Sequence, residues 1–131
     1  MQRAIQIYAV INFAVIGISH AIQPQAWVEF FAYLRERGRA GVFAVAFMSL
    51  WFGSLVVAFH NVWSGIPVVL TVIGWAQVLK GLIYFTFPTF ALRQLHRPTP
   101  ERAAWQFIPG GFIFLVLAGL LSYHLATTAV P

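Results

Sequence analysis

Residues 67–87 read PVVLTVIGWAQVLKGLIYFTF, an apolar run of helix length that carries a single charge, Lys80. Side chains three, four and seven positions apart share a helix face. Thr71, Gly74, Gln77, Lys80, Gly81 and Tyr84 therefore form one small and polar stripe. Val68, Val69, Val72, Ile73, Val78, Leu79, Leu82 and Ile83 cover the other side, as lipid or close-packed helices require. At about 1.5 Å per residue, some 20 apolar residues cross the roughly 30 Å hydrocarbon core of a bilayer. The stretch reads as a transmembrane helix with one face reserved for something other than lipid.

The rest of the chain has the same character. Of its 131 residues, 60% are apolar and 8% charged, whereas about a quarter are charged in soluble domains. Further spans are predicted at about 4–22, 40–59 and 107–125, the last starting at Gly110 if Pro109 breaks it. The expected fold is an all-α integral membrane protein, with four transmembrane helices in a bundle and residues 1–131 forming a single membrane domain. The run from Ala4 to Ile22 exceeds the apolar core of about 7–15 residues typical of a cleaved signal peptide, so it is expected to stay as a span.

Short interfacial segments are expected after the first and third spans. Pro24 stops the first span, and QAWVEFFAYLRERGR follows, with Trp27, Phe30, Phe31 and Leu34 on one side of a helix and Glu29, Tyr33 and Glu36 on the other. Pro88 ends the third span, and Pro98 and Pro100 preclude one continuous helix beyond it. Gly17 stands seven residues before Pro24 and Gly81 seven before Pro88, and each proline leads into aromatics, arginines and another span. A two-span unit occurring twice in the same orientation, a parallel two-fold repeat, fits this spacing.

Charge sets the expected orientation. The chain has a net charge of +5, but apart from Lys80 the cations sit at the ends of apolar runs. No nucleic-acid motif accompanies them, so nucleic acid is not an expected partner. Arg35, Arg37 and Arg39 follow the first span and Arg93, Arg97 and Arg102 the third, while the middle turn has no Lys or Arg. The positive-inside rule places both basic connections in the cytoplasm and both termini outside. The absence of Cys excludes disulfides, thiolate metal sites, iron–sulfur clusters and thiol catalysis.

Lys80 is the first candidate for function, because a lysine at the centre of a span costs about 2.5–3.5 kcal/mol on insertion scales. Its long chain can snorkel to the interface, or it can pair with Glu29. Alternatively, together with Gln77 and Tyr84 it faces the bundle interior and offers a cation and hydrogen-bond donors to a ligand head group. Ser19 and His20 end the first span at a similar depth. Asn12 shares a face with Tyr8 and Ser19, and an Asn inside a span is expected to bond across to another helix. Of the three acids, Glu29, Glu36 and Glu101, none lies within a span. No carboxylate pair or carboxylate metal cage is therefore expected in the membrane. The candidate ligand-binding set is Lys80, Gln77, Tyr84, His20, Ser19, Asn12 and Glu29. His60 and His124 end the second and fourth spans on the opposite side and provide an alternative, axial ligands to a haem; otherwise no cofactor is expected. No HExxH, GxGxxG, GxSxG or P-loop pattern occurs, so no catalytic residue is indicated.

The segment GISHAIQPQAW, residues 17–27, is a span ending in small and polar residues before a proline, followed by an aromatic interfacial stretch and three more spans. This layout resembles the broad group of small bacterial four-helix membrane proteins called DoxX-like. The resemblance implies a four-helix bundle in a bacterial inner membrane and no uniform activity. Three readings of function follow. The leading one is binding or handling of an amphipathic ligand, a lipid, quinone or isoprenoid, with its head group near the cytoplasmic leaflet. The second is an accessory or assembly subunit without its own ligand, in a homo-oligomer or membrane complex. The third is a haem-binding redox subunit.

Overall fold

A computed structural model describes residues 1–95 and 104–128. Six helices follow one another: α1 (Gln2–Ile22), α2 (Pro24–Glu36), α3 (Arg39–Phe59), α4 (Val68–Thr86), α5 (Pro88–Leu95) and α6 (Ala104–Thr127). Among the described residues there is no strand. Helices α1, α3, α4 and α6 are each long and apolar enough to cross a bilayer, so the chain is a multi-pass bundle. Large apolar side chains exposed on all four, among them Ile11, Phe47, Leu82 and Val116, form the surface that lipid would cover. The expected features at Arg97, Pro98, Pro100, Glu101 and Arg102 lie outside the described residues.

Prolines determine the breaks. The ring of a proline disfavours the helical region for the residue before it, and Gln23 and Phe87 leave the helix at φ −127°, ψ 54° and φ −125°, ψ 63°. Both N–H groups still donate to a carbonyl four residues back, on Ser19 and Ile83, at 2.8 Å. The next residue in each case, Pro24 or Pro88, opens a short helix. Between α2 and α3 the chain turns at Gly38, whose φ of +56° is a left-handed value that favours glycine. The last span differs from expectation: α6 starts at Ala104 and runs through Pro109. Proline there removes one N–H and crowds only the opening turn, next to the helix terminus, so the helix continues.

The spans associate as two antiparallel pairs, α3 with α4 and α1 with α6, and contact between the pairs is much thinner. Glycines permit both close approaches. A Cβ added at Gly53 would lie 2.6 Å from the Val78 nitrogen and 2.7 Å from the Gly74 oxygen, and one at Gly17 would lie 2.9 Å from the Gly111 oxygen. Packing of this kind matters in a bilayer, because lipid tails are as apolar as the helices and provide no hydrophobic drive for association.

The packing carries the two-fold repeat. Exchanging α1–α2–α3 with α4–α5–α6 turns the α1–α6 pair into the α4–α3 pair, and the α2–α6 contact into the α5–α3 contact. The register matches as well. A side chain at Gly17 would meet the Gly111 carbonyl and the Leu115 side chain, and one at Gly81 the Ala46 carbonyl and the Leu50 side chain. Since successive spans alternate in direction, the two units run parallel. Away from α2 and α5 the four spans converge on a core of Ala9, Phe13, Val56, Leu70, Ala118 and Leu121. At the arginine-rich end, α2 lies against both α3 and α6 and bridges the pairs.

Candidate functional site

A cavity of about 390 Å³ lies between the two helix pairs. Its floor is Phe13, Phe52, Ile73 and Phe114, which also belong to or rest on the core; its roof is Trp27, Phe30, Phe31 and Leu34 of α2. The aromatic stripe expected to lie in the interface thus has a second use, closing the space that the parted helices leave. Tyr8, Asn12 and Ile16 of α1 form one wall, Val45, Met48, Ser49 and Trp51 of α3 the second, and Gln77 and Lys80 of α4 the third.

The polar groups are ordered by depth. At 1.5 Å per residue, Asn12, Ser49 and Gln77 stand about 13–15 Å from the arginine-rich ends of α1, α3 and α4, and Lys80 about 9 Å. Three neutral polar side chains therefore form a layer near the middle of the hydrocarbon core, with one cation nearer the end. The Asn12 amide does not cross to another helix as expected. Its Nδ2 donates to the Tyr8 carbonyl at 2.8 Å, one turn back on its own helix. Its Oδ1, the Gln77 amide and the Lys80 ammonium have no hydrogen-bond partner among the described residues.

Lys80 combines two expected behaviours. It is exposed and lines the cavity, while its Nζ lies 5.6 Å from the centre of the Tyr84 ring one turn toward the arginine-rich end. This is the outer range of a cation–π contact. Tyr84 supports the cation from outside the cavity lining.

The remaining predicted residues fall elsewhere. His20 is buried; its Nδ1–H donates to the Ile16 carbonyl at 2.8 Å, and Trp27 stacks on its ring at 4.0 Å between centroids. Ser19 accepts a hydrogen bond from the Trp27 indole N–H at 3.0 Å. Together they anchor the roof of the cavity and do not line it. Glu29 is exposed on α2, and among the described residues it pairs with neither Lys80 nor His20. Sequence reasoning missed Tyr8, Ser49 and Met48 as lining. Tyr8 and Ser49 stand on the polar and small stripes of their helices, but no pattern distinguishes a stripe that faces a cavity from one that faces a helix.

The other end of the bundle holds a second polar cluster. His60, at the end of α3, is fully buried. Gln6 donates through Nε2 to His60 Nε2 at 3.0 Å, which leaves the proton on Nδ1, directed at Thr71 Oγ1 at 3.4 Å. Thr71 in turn donates to the Val62 carbonyl at 2.7 Å and accepts from the Val62 N–H at 3.1 Å. Burial pushes the His60 pKa below the ordinary 6.5, opposed by a backbone hydrogen bond and reinforced by the charge of His124. Both His60 nitrogens are thus engaged in tying α1 and α4 to the loop after α3, which is a structural role and leaves neither directed at a metal. Among the described residues no group of three or more metal-ligating side chains gathers. Compared with family models, curated proteins and solved structures, the chain matches none.

Proposed function

We propose that this protein binds an amphipathic molecule of the membrane, holding its polar head at Lys80 and Gln77 and its apolar part against the aromatic floor and roof of the cavity. The observation that carries this reading is the meeting of Lys80, Gln77 and Asn12, from two different helix pairs, in one cavity of about 390 Å³. That volume is within the usual range of about 300–1,000 Å³ for ligand pockets, which combine apolar walls with a few convergent polar groups. A polar layer at membrane depth is costly unless it is partnered. Here the partner would be the ligand. With the arginine-rich end in the cytoplasm of a bacterium, the head group would sit toward the inner leaflet.

The test is native mass spectrometry of the protein released from membranes, with the bound small molecules identified after extraction. The wild-type chain should retain an amphiphile that is lost from the Lys80→Ala and Gln77→Ala variants. Identical bound species in wild type and both variants would refute the reading.

A further inference from the structure

Resting on that ligand-binding reading, we infer that the ligand is a single-chain amphiphile with a carboxylate head, of the fatty-acid class, and that it reaches the cavity sideways from the hydrocarbon between α1 and α3. Charge is the first argument. Lys80 brings one positive charge to the cavity, with the Tyr84 ring beside it. The described acids, Glu29 and Glu36, are exposed on α2 and neither pairs with it. A cation beside an apolar cavity calls for an anion, and none of the described side chains supplies one, so we assign that role to the ligand. A single lysine balances a single carboxylate. A phosphate monoester, at about −1.5 to −2 near neutral pH, would leave negative charge uncompensated at membrane depth. The carboxylate also has about four acceptor sites, which the ammonium and the unpartnered Gln77 amide can share.

The mouth of the cavity is the second argument. Met48 and Trp51 both line the cavity, yet they are 56% and 59% exposed on the outer surface of α3. Met48 lies about 14 Å along α3 from Arg39, well inside the hydrocarbon region. This side of the opening therefore faces lipid tails, at the seam where α1 and α3 make thin contact. A ligand passing through it must already be dissolved in the bilayer. A cavity of about 390 Å³ suits one acyl chain, whereas a phospholipid would have to bring two.

The test uses the full chain in phosphatidylcholine nanodiscs with tritiated palmitate. Unlabelled palmitate should displace the label, and methyl palmitate, the same chain without the charge, should not. Lys80→Gln should weaken palmitate binding at least about tenfold, the loss of one charge-assisted hydrogen bond. Lys80→Arg should bind within about threefold of wild type, because it restores the charge. Met48→Trp, which narrows the mouth, should slow association. Competition by methyl palmitate, or unchanged binding by Lys80→Gln, overturns the carboxylate assignment while leaving a neutral amphiphile as ligand. An unchanged association rate in Met48→Trp overturns the lateral route. Absence of saturable palmitate binding overturns the inference, and the amphiphile retained in native mass spectra then decides separately whether the ligand-binding reading survives.

Discussion

Replacing Gly53 with Ala adds one methyl group where α3 and α4 meet backbone to backbone. Its Cβ would lie 2.6 Å from the Val78 nitrogen, 2.7 Å from the Gly74 oxygen and 3.0 Å from the Gln77 carbonyl carbon, all main-chain atoms of α4 that cannot swing aside. Ordinary contact begins near 3.4 Å, so the helices must part locally by about 0.8 Å. A gap of that size forfeits roughly a quarter to a half of the dispersion energy of the neighbouring contacts. Overpacking in a close-packed interior costs about 1–3 kcal/mol. The upper half of that range, about 2–3 kcal/mol, is expected here, because helix association in a bilayer depends on packing. Gly119 of α6 is the control: a Cβ there meets nothing within 4 Å. Gly119→Ala should therefore be neutral or stabilising by up to about 1 kcal/mol through helix propensity. The assay is unfolding by SDS titration in mixed micelles, followed by far-UV circular dichroism. Gly53→Ala should lie well below both wild type and Gly119→Ala, and should also weaken ligand binding, since Gln77 moves with the displaced stretch of α4. Equal stability of the two alanine variants would refute the close approach of α3 and α4.

Two further outcomes follow from the polar clusters. Above about pH 6.5, His60 is neutral in both the folded and unfolded chain, and the Gln6–His60–Thr71 network is intact. Because burial depresses its folded-state pKa, the unfolded chain takes up the proton first, so stability should fall as pH drops below about 6.5 toward that lower value. The slope should disappear in His60→Gln, and an identical pH profile in the variant would exclude His60 as its source. At the roof of the cavity, Trp27→Phe keeps a ring over His20 but loses the hydrogen bond to Ser19, at a cost of about 1 kcal/mol, whereas Trp27→Ala should cost about 3–5 kcal/mol. Equal losses for the two variants would show that ring packing on His20 contributes little.

Much of this molecule follows from the sequence because its determinants are local. Four apolar runs of sufficient length dictate four spans, and proline disfavours a helical residue before it and removes an N–H from the helix interior, so Pro24 and Pro88 mark the ends of α1 and α4. The matched Gly and Pro spacing signalled the repeat for the same reason: it sets both the register of close packing and the point of chain reversal. Gln77, Lys80 and Asn12 were legible as candidates because polar side chains at membrane depth are costly.

Which neighbour covers each face was decided by the tertiary structure. The polar stripe of α4 proved to be two stripes: Gly74 and Gly81 lie against α3, while Gln77 and Lys80, joined by Ile73 from the supposed lipid side, face the cavity. His20 and Ser19 have the residue types of a binding site but are consumed by Trp27, and His60 by Gln6 and Thr71. Helical periodicity determines which residues share a face. It carries no information on whether lipid, another helix or an open cavity lies opposite, because that depends on the pairing of segments distant in the chain.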